Sequence, residues 1–322
     1  VVPRLVEKVY DKIVDKGAAA GGLKTKIFYW ALSLLENYDM KKPKSLKYRI
    51  ADKLVFSKWR EGLGGNMITL VSGSAALSTK LNRSFHGAGI PILEGYGLTE
   101  TSPVIAVNTF ERVKIGTVGH VLDNLDVKIQ ADGEITVKGP SVFQGYYKDE
   151  EKTKEAFTED GYFMTGDIGH IDEEGFLHIT DRKKEMFKTS GGKYVAPQVL
   201  ENLAKGSKFI EQIMVVGDGE KMPCALVQPD YAFAKLWAER KHLKIGKTPE
   251  EMANSPELKA RIMKDINLLN ATLGKWEQIK KIELTPTLWT IEDGLLTPTV
   301  KLKRKAVKEK FFNLYEKLYD RA

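Results

Sequence analysis

The stretch Leu93-Glu94-Gly95-Tyr96-Gly97-Leu98-Thr99-Glu100-Thr101 gathers groups that could hold a nucleotide. Gly95 and Gly97 remove side-chain bulk on both sides of an aromatic ring, which lets a ligand or another backbone come close. The Tyr96 ring could then lie against a flat base. Thr99 offers a hydroxyl to a phosphate oxygen. Glu100 offers a carboxylate to Mg²⁺, an ion that takes hard oxygen ligands and phosphate partners. By itself the stretch favours a plainer reading, a glycine-rich turn after the strand Ile90-Pro91-Ile92-Leu93 with Tyr96 packed on the core. The downstream segments tip the balance.

Tyr162-Phe163-Met164-Thr165-Gly166-Asp167 places an acidic residue directly after a glycine. There it can start a turn, or accept two hydrogen bonds from a ribose diol, and charge-assisted bonds of this type are among the stronger ones. Asp181-Arg182-Lys183-Lys184-Glu185-Met186-Phe187-Lys188 alone is a charged, solvated loop. Thr189-Ser190-Gly191-Gly192-Lys193 has the flavour of a phosphate loop. The Walker pattern, however, needs four residues between its glycines and a Ser or Thr after the Lys; here Tyr194 follows, and that reading is rejected, leaving a β-turn as the plain alternative. Leu296-Thr297-Pro298-Thr299-Val300-Lys301-Leu302-Lys303-Arg304 holds Lys301 among other basic residues. The histidines His86, His120, His170, His178 and His242 have no metal-ligand spacing and receive no role.

Together these segments resemble the adenylate-forming superfamily of acyl-CoA synthetases, luciferases and peptide-synthetase adenylation domains, with long-chain fatty acyl-CoA synthetases as the nearest branch. The resemblance implies that Tyr96 stacks on adenine, Thr99 contacts the α-phosphate and Glu100 binds the magnesium. It gives the ribose to Asp167, with Arg182 also reaching it, and makes Lys184 the hinge between a large N-terminal and a small C-terminal domain. The Gly73-Ser74-Ala75 loop would border adenine and the acyl channel. Gly191 and Gly192 would let their loop approach the pantetheine arm of CoA. Lys301 falls in the register of the lysine that enters for adenylation and bonds the carboxylate and the bridging phosphate oxygen. A cation there stabilises the negative charge that builds as the acid attacks the α-phosphate. Thr299-Val300 stand where the commoner family pattern has Ser-Gly, as in fatty-acid members, and Lys303 is the fallback. Gly133-Glu134-Ile135, Gly139 and Gly145-Tyr146-Tyr147 follow the pattern and read as structural.

The implied activity is an ATP-dependent acid–thiol ligation with ATP/AMP, Mg²⁺ and CoA. A carboxylate and ATP give acyl-adenylate and pyrophosphate, and the CoA thiol then displaces AMP. A long-chain fatty acid is the implied acid, because the Val1–Glu7 start and the Leu296–Arg304 tail look like that branch. The alternatives are an aryl or amino-acid adenylating enzyme and a non-catalytic AMP-binding module. Family members also carry a Thr/Ser/Gly-rich loop whose lysine grips the β- and γ-phosphates. No such loop lies between Val1 and Leu93. The chain is therefore expected to be the later portion of a longer protein and not to form acyl-CoA as it stands.

The elements that must position these residues are legible as periodicities. Leu5, Val6, Val9, Ile13 and Val14 make a helical stripe behind Pro3, which suits a first helical turn. Further helices are expected over Lys24–Tyr38, with Ala18–Gly22 as linker, and from Ser45 to the glycines at Gly62, Gly64 and Gly65. Met67–Val71 reads as a buried strand, followed by a helix from Ser78 to Gly87 and the next strand at Ile90. Strand, helix, strand suggests a parallel sheet, and ligands in such sheets sit at the carboxyl ends of strands. From Val113 the pattern becomes β-rich, with hairpin turns at Asp132-Gly133 and Glu174-Gly175, and His170 and His178 are placed on this module. Strands at Gln212–Gly217 and Met222–Gln228 and helices at Tyr231–Arg240, Glu257–Leu273 and Arg304–Tyr319 complete the chain. The expected fold is α/β. A large domain, 1–181, comprises an α/β sheet portion (1–110) and a β-barrel-like module (111–181); a small α+β lid domain, 182–322, follows.

The 322 residues suffice for about two domains at ~150 residues each. Hydrophobic residues at 42% and charged residues at 29% are an ordinary globular balance. No apolar run approaches the ~20 residues that span a bilayer, and the start lacks a signal peptide's apolar core. A single cysteine, Cys224, excludes an intrachain disulfide and a Cys-based zinc site. It reads as a small core residue, and a reducing cytoplasm is the expected compartment. The net charge of +7 gathers in Lys41–Arg60 and Lys301–Lys310 and suits anionic partners. Neither zinc-finger spacing nor an RNA-recognition signature occurs, which argues against nucleic acid. Peripheral contact with a membrane stays open, and oligomeric state is not legible.

Overall fold

In the computed structural model, which describes residues 1–36, 38–73, 75–297 and 301–321, the chain divides into two compact units, Val1–Ile179 and Thr180–Ala322. The first begins with helices Pro3–Ala19 and Gly22–Glu36, then Leu46–Ala51, which runs through a π-turn, Asp52–Phe56, into Ser57–Gly62. Pro3 occupies the first helical turn, where its missing N–H leaves no bond unmade. The Ser45 hydroxyl caps the third helix by accepting Tyr48 N at 3.3 Å. The apolar stripes of these helices meet in one core with Phe28, Ala31, Leu35, Phe56, Trp59 and Phe85.

Against that core lie β1 (Leu70–Ser72) and β2 (Ile92–Gly97), joined by the helix Thr79–Gly87 and paired in parallel with Ser72 opposite Glu94. β3 (Val104–Val107) and β4 (His120–Val121) extend the sheet antiparallel, in the order β1-β2-β3-β4. Two expectations need correction. Met67–Val71 is not a buried strand: pairing covers only 70–72, and Ile68 and Val71 are 78% and 54% exposed. β1 is outermost in the sheet order, so strand alternation turns Ser72 inward and Val71 out. Nor do Gly95, Tyr96 and Gly97 form a turn. β3 pairs along them, with Tyr96 opposite Ala106, so the strand continues and the chain turns only at Thr99–Thr101.

β5 (Asp126–Ile129), β6 (Glu134–Lys138), β7 (Phe163–Ile171) and β8 (Leu177–Arg182) form a second sheet in that order. The Asp132-Gly133 and Glu174-Gly175 turns sit where expected. Gly133 and Gly175 have φ of +86° and +84°, and Asp132 and Asp172 carboxylates receive the following backbone N–H groups. His170 and His178 stack on this sheet with ring centroids 4.6 Å apart, and His178 Nε2 lies 2.9 Å from Asp172 Oδ2. The boundary between the two units falls inside β8.

In the second unit β9 (Phe187–Lys188) and β10 (Tyr194–Val195) form a short hairpin. β11 (Ile210–Val216) pairs antiparallel with β12 (Cys224–Pro229), and β13 (Ile282–Leu284) lies parallel to β12. Alternate residues of this sheet feed two cores. Ile213, Val215 and Val227 face Leu258, Ile262 and Ile266 of helix Pro256–Asn270. Met214, Cys224 and Leu226 face Val307, Phe311, Tyr315 and Leu318 of helices Arg304–Lys310 and Phe312–Leu318. The two-residue period thus buries both faces. Cys224 is a buried core residue, as its apolar setting suggests. Among the described residues no helix is long and apolar enough to cross a membrane.

Candidate active site

In the first unit the fold brings together residues far apart in sequence. The Tyr96 hydroxyl on β2 donates to Asp167 Oδ2 on β7 at 2.6 Å, across 71 positions. Asp167 is 5% exposed. The bend that aims it has identifiable causes. Gly166 takes φ +73° and its N–H donates to Glu134 Oε1 at 2.9 Å. The Thr165 hydroxyl donates to Ile135 O at 2.7 Å and accepts Asp167 N at 3.1 Å. The β6–β7 register shifts between Glu134 and Thr136, a bulge of the kind that re-aims side chains. A carboxylate has about four lone-pair directions and can accept from more than one hydroxyl.

Gly73, on the loop after β1, lies beside β2: a Cβ there would sit 3.5 Å from Gly95 O. Gly97 allows β3 to approach, since a Cβ there would fall 1.6 Å from Pro103 O. Ser74 lies outside the described residues, and Ala75 and Thr99 are exposed. Glu100 is half-buried. Its backbone carbonyl accepts Phe143 N at 2.8 Å, and its Oε1 accepts the Tyr146 hydroxyl at 3.2 Å. Tyr146, read from sequence as structural, therefore reaches the candidate metal ligand. Burial, then the Glu100 charge, pushes its phenol pKa up. Mg²⁺ takes one or two carboxylates with phosphate and water, which a single accessible glutamate can satisfy. Among the described residues no cluster of three or more His, Cys, Asp or Glu forms a protein-only cage.

Glu94, inside the same motif, was given no role from sequence. It is buried and ties the site's backing together: Oε1 accepts Asn82 Nδ2 at 2.7 Å and Oε2 accepts Leu77 N at 3.3 Å. Burial raises its pKa, while these two donors pull it back. An acidic residue within an apolar strand was the available signal.

The second unit holds the other candidates. Arg182 and Lys184 are exposed, on a turn in which Glu185 N and Met186 N donate to Arg182 O at 2.9 and 3.0 Å. Behind it Asp181 is 2% exposed and accepts Arg182 N at 2.6 Å and Gln198 N at 3.2 Å, the latter in the first turn of helix Pro197–Ala204. Burial pushes its carboxyl up to about 6, against the pull of those two N–H groups and with the charges of Glu185 and Glu201 adding to the rise. Gly191 and Gly192 sit exposed at the tip of the β9–β10 hairpin. Gly192 takes φ +78° and its N–H donates to Thr189 O at 2.8 Å. Pro298, Thr299 and Val300 lie outside the described residues. On either side of them, Thr297 N donates to Lys301 O at 2.8 Å and Lys301 N to the Thr297 hydroxyl at 3.0 Å. Lys303, the fallback, is exposed, and its N–H donates to Leu295 O at 2.9 Å.

Comparison with known proteins bears on what such sites do. Residues 1–147 match the family described as AMP-binding enzyme, and residues 185–322 match the AMP-binding enzyme C-terminal domain. The chain is 42% identical to long-chain-fatty-acid–CoA ligase FadD15 of Mycobacterium bovis, over 99% of this chain and 54% of the relative. It is 37% identical to the peroxisomal long chain acyl-CoA synthetase 6 of Arabidopsis thaliana, over 99% of this chain and 48% of that protein. The chain thus spans about half the length of the curated relatives it matches. In structure it resembles the adenylation domain of a carboxylate reductase from Mycobacterium chelonae, with a TM-score of 0.69, 25% identity, and coverage of 99% of this chain and 46% of that one.

Proposed function

The chain belongs to the AMP-binding enzyme family, and from that premise we propose that it forms the adenylate-holding and C-terminal parts of an ATP-dependent long-chain fatty acid–CoA ligase. The observation that carries this reading is the Tyr96–Asp167 bond, which joins the two segments whose chemistry suits a base and a ribose. Tyr96 offers its ring to adenine, and Asp167 accepts the ribose hydroxyls. Thr99 bonds the α-phosphate. Glu100, steadied by Tyr146, would hold Mg²⁺. When bound, that ion neutralises phosphate charge as pyrophosphate departs. Arg182 serves the ribose, and Lys184 is the hinge. Lys301 would supply the cation that stabilises the charge building at the α-phosphate while the fatty carboxylate oxygen forms its bond to phosphorus and pyrophosphate leaves. The Gly191-Gly192 turn then leaves room for the CoA sulfur to attack the acyl carbon, with AMP as leaving group.

The identity to long-chain fatty acid ligases supports that class of acid. The buried thiol of Cys224 fits a reducing, cytoplasmic setting. Exposed Leu46, Ile50 and Leu54, set among exposed Lys44, Lys47 and Lys53, support peripheral contact with an anionic lipid surface.

The test uses the full-length protein. Asp167→Ala removes a charged hydrogen-bond acceptor worth ~1.5–3 kcal/mol and should weaken AMP binding roughly 10- to 100-fold by calorimetry; because it also orphans the Tyr96 hydroxyl, the melting temperature should fall by several degrees while the fold persists. Unchanged AMP affinity in a folded variant would take Asp167 out of the site. Product analysis with oleate, benzoate and amino acids offered together checks the acid class, and a preference for either of the last two sinks the long-chain assignment.

A further inference from the structure

Lys301 sits on a tail whose main chain is held on both sides. Upstream are the paired bonds to Thr297, and the chain is bridged again where Leu296 faces Leu302. Downstream, helix Arg304–Lys310 begins without a side-chain cap at Lys303. What pins that start is Arg304 itself. Its Nη1 donates to Glu201 Oε1 at 2.7 Å and its Nη2 donates to Val215 O. The same Glu201 oxygen accepts Val215 N at 2.7 Å. One guanidinium and one carboxylate therefore close a ring through helix Pro197–Ala204, β11 and the tail, across 103 positions of sequence. The side chains are only 23% and 7% exposed. Burial raises the Glu201 carboxyl's pKa, and the Arg304 charge opposes that rise. The apolar contacts of Val307, Phe311, Tyr315 and Leu318 already hold the two terminal helices on the sheet. The ion pair adds something those contacts cannot: a directional lock three residues from Lys301.

We propose that the largely buried Arg304–Glu201 pair is a positioning device that sets where the Lys301 ammonium is delivered during adenylation. This rests on the reading of Lys301 as the adenylation lysine. A forked guanidinium bonded to two acceptors fixes direction in a way that an ammonium does not. Reacting groups displaced by about 1 Å can lose ~100-fold in rate.

The experiment separates the half-reactions in the full-length protein. Pyrophosphate release from ATP and oleate reports adenylation, and thioester formation from preformed oleoyl-adenylate and CoA reports the second step. Arg304→Met should lower kcat for adenylation about 10- to 100-fold, leave the KM for ATP near that of the parent, and spare the second step. Arg304→Lys should recover part of the loss. Adding Arg304→Met to Lys301→Ala should cost nothing further, because the group being positioned is already gone. If Arg304→Met leaves a buried carboxylate that unfolds the domain, Glu201→Leu with Arg304→Met removes both charges and should fold while keeping the adenylation defect. Normal adenylation in a folded Arg304→Met or double variant, or an equal loss in both half-reactions, overturns the proposal. If Lys301→Ala itself adenylates normally, the Lys301 reading has failed. If Lys301→Ala is dead in adenylation and Arg304→Met is not, only the positioning role has.

Discussion

Asp181 is a carboxyl taken out of water and held by two backbone N–H groups, and its position makes stability depend on pH. Its carboxyl is pushed up to about 6 from an ordinary 3.8. Between those values the folded chain binds the proton and the unfolded chain has released it, so this group's contribution to stability falls as pH rises from about 4 to about 6 and is level above. Asp181→Asn keeps one acceptor and cannot titrate. Its deficit relative to the parent should be largest near pH 4 and should shrink by roughly 1–3 kcal/mol by pH 7, read from urea midpoints across the range. A deficit that does not change with pH would mean that Asp181 titrates as an ordinary aspartate. Burial alone does not predict this behaviour. Burial raises the Glu201 carboxyl as well, but there the Arg304 guanidinium opposes the rise, whereas at Asp181 only two backbone N–H dipoles oppose it and the charges of Glu185 and Glu201 add to it.

At the scale of elements, β2 carries the site because it is paired on both edges, by β1 in parallel and β3 antiparallel. The glycines on it differ in what they permit. A Cβ at Gly97 would collide with backbone, at 1.6 Å from Pro103 O and 2.8 Å from Val104 Cα, so β3 would have to move. Gly97→Ala should therefore destabilise the protein by about 1–3 kcal/mol and displace the neighbouring Tyr96, weakening AMP binding in the full-length protein. At Gly73 the nearest atom is 3.5 Å away, an ordinary contact, and Gly73→Ala should leave the melting temperature within a few degrees. Equal tolerance at both positions would show that β2 and β3 part without cost. The helix expected over Arg304–Tyr319 is broken at Phe311, whose φ of −111° and ψ of 33° leave the helical region, so that two short segments share one core.

At the scale of the molecule, the unit from Thr180 onward has two cores whose described members are all its own residues, one on each face of the β11-β12-β13 sheet. Residues 180–322 produced alone should therefore fold, with one cooperative thermal transition and dispersed amide resonances. A fragment with native helix content but no cooperative transition would mean that the division marks compactness and not a folding unit. Local order was open to inspection in the chain itself. Helical stripes, the Asp132-Gly133 and Glu174-Gly175 turns and the motif segments depend on residues within a turn or a strand of each other, and their spacing is their physics. Pairings across long separations have no such signature. Tyr96 meeting Asp167, Tyr146 meeting Glu100 and Arg304 meeting Glu201 span 71, 46 and 103 positions, and only packing chooses among the many partners each side chain could have had. Strand edges follow the same division. The apolar run at Met67–Val71 announced a strand, but its exposure depended on which neighbours the sheet supplied, and Gly95–Gly97 became strand and not turn because β3 returned along it. The chain's own order thus determined which residues could do chemistry, and the tertiary structure decided which of them meet, because burial and charge pairing are properties of neighbours in space.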